Sequence, residues 1–238
     1  MATYYYIDGI LGDDTNDGLA EGPGPVGSPV GSPIPSGAWK TFANAMSIGS
    51  VVVGGDTIFV KASTTYTGQL PTLTNYGSFA LPIIMQGYTN TPGDGGRVTV
   101  SGGTYVMRTG ATTPYWKISN FILTGASSHG FYVQNNAAIF WENCVFTGNG
   151  GHGTHGSGQR FYSCVFSLNS LAGNSGAVYM VGCTMTGNGQ EGVYAAPSIF
   201  MNNLIYGNGV GFAGMRGPTP NSSIGQIRGN TFDMTGLN

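Results

Sequence analysis

The sequence predicts an all-β chain wound as a right-handed parallel β-helix, a solenoid of stacked coils with a short N-terminal capping helix. Three observations carry that expectation. Short fragments recur at steps of about 20 residues, which suits a coil of short strands and turns and is too short for the helix pairs of most α-solenoids. Within each fragment the apolar side chains keep fixed offsets. Gly fills 42 of 238 positions and charged residues only 8%, a balance poor for helices, while the 40% of apolar residues leaves enough surface to bury.

In chain order, residues 1–56 are expected to form an N-terminal strand, a Gly/Pro/Ser-rich loop and the capping helix, and residues 57–238 the coils, as one continuous domain. Met1-Ala2-Thr3-Tyr4 runs straight into a strand-like segment without a charged region or apolar run of the secretory type, so no signal peptide is expected in the chain as given. The stretch from Glu21 to Gly37 repeats Val26-Gly27-Ser28-Pro29 as Val30-Gly31-Ser32-Pro33 and has no hydrophobic period; it reads as an extended, semi-rigid surface loop. Trp39, Phe42, Ala43 and Met46 fall at i, i+3, i+4 and i+7, one face of a short helix that covers the open end of the stack.

The coils are read from four fragments: Asn143-Cys144-Val145-Phe146-Thr147-Gly148-Asn149, Ser163-Cys164-Val165-Phe166-Ser167-Leu168-Asn169, Gly182-Cys183-Thr184-Met185-Thr186-Gly187-Asn188 and Asn202-Asn203-Leu204-Ile205-Tyr206-Gly207-Asn208. With Phe121, Cys144, Cys164, Cys183, Asn203 and Asn230 as equivalent anchors, the steps are 23, 20, 19, 20 and 27 residues. Three residues before the anchors stand Ile118, Trp141, Phe161, Met180, Phe200 and Ile227; two after stand Leu123, Phe146, Phe166, Met185, Ile205 and Phe232. Stacked about 4.8 Å apart, these two sets become inward ladders of one core. Five residues past the anchors, Asn149, Asn169, Asn188 and Asn208 recur, either as a buried amide ladder or as surface Asn in Gly-rich turns. Cys144, Cys164 and Cys183 share the anchor row; three is an odd number, and no CxxC or Cys/His metal spacing occurs, so a stack of free buried thiols is expected.

The opening carries a resemblance in Tyr5-Tyr6-Ile7-Asp8, Gly12-Asp13-Asp14-Thr15-Asn16-Asp17-Gly18, Trp39-Lys40-Thr41-Phe42 and Gly55-Asp56-Thr57-Ile58-Phe59-Val60; Pro82-Ile83-Ile84-Met85-Gln86-Gly87-Tyr88 and Arg97-Val98-Thr99-Val100-Ser101-Gly102 continue it. The chain resembles the pectate-lyase-like superfamily of right-handed parallel β-helix repeat proteins over nearly its whole length, and within it the phage-virion type. That superfamily includes lyases, hydrolases, epimerases and inert viral shafts, so the resemblance implies a fold and leaves the function between classes.

Lyases and glycosidases on this fold need clustered charge, either carboxylates holding calcium beside a base or two carboxylates about 5 to 10 Å apart. From Ala111 to Asn238 the only carboxylates are Glu142, Glu191 and Asp233, at different offsets in non-adjacent coils; Glu142 and Asp233 read as solvated strand positions. One constellation stacks. His129, His152, Ala172 and Glu191 each lie eight residues past an anchor, with His155 three residues beyond His152 and Arg160 near the next coil. These five charged or ionisable residues are the candidates for an acid/base or metal patch, against the plainer reading of a turn row pointing into water. The acidic run Asp13-Asp14-Thr15-Asn16-Asp17-Gly18 looks like half a calcium loop, but its twelfth position is Gly24, and Asx turns account for it; no cofactor is expected, with calcium as the alternative.

A net charge of −2 with only eight Lys and Arg argues against nucleic acid or an anionic membrane as partner, and no apolar stretch approaches a membrane span of about 20 residues. The sequence reading therefore favours a non-catalytic structural or adhesion module of a phage virion, a tail spike, fibre or decoration protein, with a cell-surface glycan as candidate ligand and a virion or extracellular location. The alternative is a polysaccharide lyase or glycoside hydrolase on the same fold. An ice-binding solenoid, a third class, needs regular Thr ladders, and the Thr residues are read as not forming one. Partners are expected to be other virion proteins or further copies, a homotrimer first, with the loop Gly217-Pro218-Thr219-Pro220-Asn221 and the segment to Asn238 at the contact.

Overall fold

The computed structural model describes residues 2–22, 36–46, 50–74, 77–110, 114–135, 137–176, 179–194, 198–209 and 226–233. Within them the chain is a parallel β-solenoid with three sheets running along its length. The first sheet has nine strands, from Tyr4–Asp8 through Thr57–Lys61, Ile83–Tyr88, Tyr115–Ser119, Ala138–Glu142, Arg160–Tyr162, Tyr179–Val181 and Ile199–Met201 to Gln226–Arg228. The second has eight, from Tyr66–Thr67 and Val98–Ser101 through Phe121–Thr124, Val145–Thr147, Val165–Ser167, Thr184–Thr186 and Leu204–Tyr206 to Thr231–Asp233. Met107–Arg108, Phe131–Tyr132, Thr154–His155 and Asn174–Ser175 make the third.

Register follows the apolar offsets. In the first sheet Ile118, Trp141, Phe161, Met180, Phe200 and Ile227 pair in succession, and in the second Leu123, Phe146, Phe166, Met185, Ile205 and Phe232 do the same. All but the last member of each ladder are fully buried. Between the sheets the rings interlock: Trp141 meets Phe146 edge-on at 5.0 Å, and Phe146 stacks on Phe166 at 5.0 Å. Such geometry suits the aromatic quadrupole.

From the Tyr115–Ser119 coil onward the bend between first and second sheets is made by one residue with positive φ: Asn120, Asn143, Ser163, Gly182, Asn202 and Gly229. Asn and Gly tolerate that left-handed conformation best. A second such corner closes the other end of the second-sheet strands, at Gly68, Gly102, Gly125, Gly148, Leu168, Gly187 and Gly207. Immediately after it comes the buried amide ladder. Nδ2 of Asn149, Asn169 and Asn188 donates to Oδ1 of the next Asn at 2.9, 2.9 and 2.8 Å, and also to a main-chain carbonyl of the coil before. This decides between the two readings of that row, because a corner that turns the backbone inward leaves polar groups that only a side-chain amide can satisfy. Cys144, Cys164 and Cys183 are free and buried in the anchor row, and burial pushes the Cys164 thiol up.

The N-terminal cap is smaller than expected. Only Ala43–Met46 is helical, Ala43 faces solvent, and Ala45 is buried in its place. Trp39 is not helical; its backbone pairs with the edge of the first strand, Trp39 N to Tyr6 O at 2.9 Å and Asp8 N to Trp39 O at 2.8 Å. Pairing an exposed strand edge outweighed the helical period. Phe42 and Met46 nevertheless plug the end of the core, as anticipated. Most of the Glu21 to Gly37 loop, the Gly217 to Asn221 loop and the last five residues lie outside the described residues.

Candidate functional site

The third sheet turns the sequence row of His residues into a two-column ladder of planar rings. Its strands are two residues long, so side chains eight residues past the anchors stack in one column and those three further on in a second. Phe131 pairs with Thr154, and Tyr132 with His155. In the first column His129 stacks on His152 at 5.2 Å and on Tyr105 at 5.9 Å. His155 faces His129 at 4.8 Å, His152 at 5.4 Å and Tyr132 at 5.7 Å, with planes within 17° of parallel. Tyr194 leans on His152 at 6.3 Å.

The imidazoles are half-buried rather than solvated. His129 Nδ1 accepts the His152 main-chain N–H at 3.0 Å and His152 Nδ1 accepts that of Ala172 at 3.1 Å, so each neutral ring carries its proton on Nε2. Burial holds both rings down at about 4, with neighbouring imidazoles adding to the effect, and burial lowers His155 as well. His155 Nδ1 is buried with no hydrogen-bond partner.

The remaining candidates are not drawn into this ladder. Glu191 sits in the same row two coils from His152, with Ala172 between; it is 5% exposed and its Oε2 lacks a hydrogen-bond partner. The row is therefore packed, not a set of turn residues pointing into water. Arg160 lies on the outer face of the first sheet, its guanidinium 4.9 Å from the Phe140 ring and 4.5 Å from that of Tyr179. Cation–π contact on both sides fixes it there. Glu142 is exposed, as anticipated, and pairs with Lys117 at 2.9 Å. In the acidic run Asp13 and Asp17 accept main-chain N–H groups two residues on, at 2.9 Å each, while Asp14 accepts from Lys40 N and Thr41 N. Asx turns and a strap to the capping segment engage these carboxylates. Among the described residues no group of three His, Cys, Asp or Glu converges to hold a metal ion.

The sequence reading missed two features. Tyr105, Tyr132 and Tyr194 belong to the ring ladder; the signal was the shared three-residue step from His129 to Tyr132 and from His152 to His155. The second is a correction. Thr67, Ser101, Thr124, Thr147, Ser167 and Thr186 pair in succession on the outer face of the second sheet, so a hydroxyl ladder does exist. Ser interrupts the Thr residues at positions 101 and 167, which hid the column from a search for Thr alone. Beside it run Thr99, Ile122, Val145, Val165 and Thr184, giving a face without a charged side chain. A separate cleft of about 350 Å³ opens beside the helical turn, with Lys40, Thr64, Thr65 and Gln69 around Phe42 and Tyr66.

Among solved structures, a pectate lyase, Pel9A, superposes with a TM-score of 0.61 at 19% identity, over 90% of this chain and 57% of the lyase. A rhamnogalacturonan lyase gives a TM-score of 0.47 at 15% identity, over 92% of this chain and 63% of that one. The chain thus spans less than two thirds of each, and the likeness to Pel9A is one of fold. No curated protein matches by sequence. The family model described as the right handed beta helix region matches residues 105–236, more than half of the chain. The coils, their register and this match together place the chain in the right-handed β-helix family.

Proposed function

We propose that this solenoid is a non-catalytic structural or adhesion module of a phage virion, of the spike, fibre or decoration kind, which lays a long uncharged face against a neutral cell-surface glycan. One observation carries the reading: from Thr99 to Tyr206 the outer face of the second sheet presents only Thr, Ser, Val, Ile, Leu and Tyr side chains, in register from coil to coil. Acid/base or electrostatic catalysis needs charge aimed at the reacting atoms, whereas a regular neutral face suits a repeating neutral polymer. Partners in this reading are neighbouring virion proteins or further copies, a homotrimer first, in a virion or extracellular setting. The test is retention on immobilised neutral and acidic polysaccharides. Wild type should be retained by a neutral member of the panel and Thr147→Lys, which places a charge in mid-face, should not. Equal retention of both proteins would remove this face from the proposal.

The hydroxyl ladder favours a second reading, an ice-binding face, because Ser and Thr hydroxyls recur at the spacing of adjacent strands, about 4.8 Å. Thermal hysteresis in wild type that disappears in Thr147→Lys would select it over the glycan.

A further inference from the structure

The His and Tyr ladder also ties coils together through ring contacts and through ring nitrogens that accept main-chain N–H groups. We infer that the stacked imidazoles of His129, His152 and His155 form an acid-sensitive latch on the third sheet, closed when the rings are neutral and forced open when they are protonated. Two main-chain N–H groups, of His152 and Ala172, have ring nitrogens as their acceptors, at 3.0 and 3.1 Å. Either bond requires a lone pair on Nδ1. Protonation there sets one N–H against another and leaves a main-chain donor without a partner, beside the coil-to-coil bonds Gly130 N to His152 O and Gly153 N to Ala172 O. It also places positive charges in rings whose centroids are 4.8 to 5.4 Å apart.

Among the described residues, no carboxylate packs on the three rings to offset those charges. The groups packed on the ladder are the phenols of Tyr105, Tyr132 and Tyr194. Arg108 stands one strand from Tyr132 in the second column, a further cation, with its Nε donating to Thr72 Oγ1. Glu191 is the carboxylate on this row, and it is separated from His152 by the Ala172 coil. Among the described residues no carboxylate is hydrogen-bonded or ion-paired to any of the three rings.

The pH window follows from the depressed ring values. An unfolded His takes its proton near 6.5, and the folded His129 and His152 take theirs only at about 4. Stability from the neutral rings is therefore fully present above 6.5 and is lost as pH falls toward about 4. Carboxylates held below their ordinary range, Asp8, Asp13 and Asp94, lose their contribution only beneath about 3.8, so the window between belongs to the ladder.

The experiment is amide hydrogen exchange from pH 7.5 to 4.5, corrected for intrinsic rates, together with NMR titration of the wild-type imidazoles. The amides of His152 and Ala172 should lose protection by at least about tenfold across the range, while that of Asn169 in the amide ladder holds. In the double variant His129→Asn, His152→Asn, whose amide oxygens can accept the same N–H groups without titrating, that pH dependence should shrink to the part His155 supplies. Unchanged protection of His152 and Ala172 in wild type, or the same loss in a folded double variant, overturns the latch. The titration decides if that variant does not fold: midpoints near 4 support the latch, and midpoints near 6.5 overturn it.

Discussion

Leu168 is the one bulky side chain at a corner where the equivalent positions are Gly125, Gly148, Gly187 and Gly207; its φ is 55° and its side chain is 67% exposed. A left-handed leucine carries strain that its packing does not return. Leu168→Gly should therefore stabilise the protein by about 1 kcal/mol, the relief of strain exceeding the added freedom of the unfolded chain. A urea midpoint that rises without a change in slope checks this, and a lower midpoint means Leu168 has packing we have not assigned. The core ladder makes a second demand. Phe166→Ala, in a fully buried row, should cost about 3 to 5 kcal/mol, and Thr186→Ala, on the outer face, little; equal costs by the same measurement contradict the register. Both inward rows were legible residue by residue, because each apolar position repeats at a fixed distance from its anchor. Leu168 was visible as the odd residue in a Gly column, yet its φ was not, since the corner exists only once the coils close.

At the scale of the element, the amide ladder and the ring ladder show where sequence reading stops. Asn149, Asn169, Asn188 and Asn208 were found as a row, but whether they face in or out depends on the direction of the corner before them. Cross-coil bonds place them inside, and a middle member should matter most. Asn169→Ala takes the side-chain acceptor from Asn149 N and the side-chain donor from the Phe146 carbonyl, and removes one of the two bonds at Asn149 Nδ2 and at Asn188 Oδ1. A loss of about 3 kcal/mol or more is expected in denaturant unfolding, since each buried orphan costs about 1 to 3 kcal/mol. Asn208→Ala, at the more open end of the ladder, should lose less, and the reverse order would contradict the buried network. His129 beside His152 was likewise foreseen, whereas the Tyr members were not, because residues of unlike type in one column leave no repeat to see. The capping helix failed for the opposite reason: an amphipathic spacing was present, and a strand edge in need of partners took Trp39 instead.

For the whole molecule, the inward ladders end in partial exposure, 39% at Ile227 and 42% at Phe232 where the preceding members are fully buried. Apolar rungs left partly exposed among the described residues favour association, and light scattering at micromolar concentration is expected to show an oligomer, a trimer first; a stable monomer would contradict that expectation. The fold was legible at this scale because a solenoid repeats its one decision, in or out, in every coil. Function was less so, since a face exists only when columns from different coils come into register, and the hydroxyl column became visible only then. In the proposed role this solenoid binds a polysaccharide surface without breaking it. Incubation with the same panel of neutral and acidic polysaccharides, following ultraviolet absorbance of unsaturated products and the appearance of reducing ends, separates binding from cleavage. Retention on a neutral polymer is expected, with neither product above a protein-free blank; sustained formation of either product would make the chain an enzyme and overturn that role.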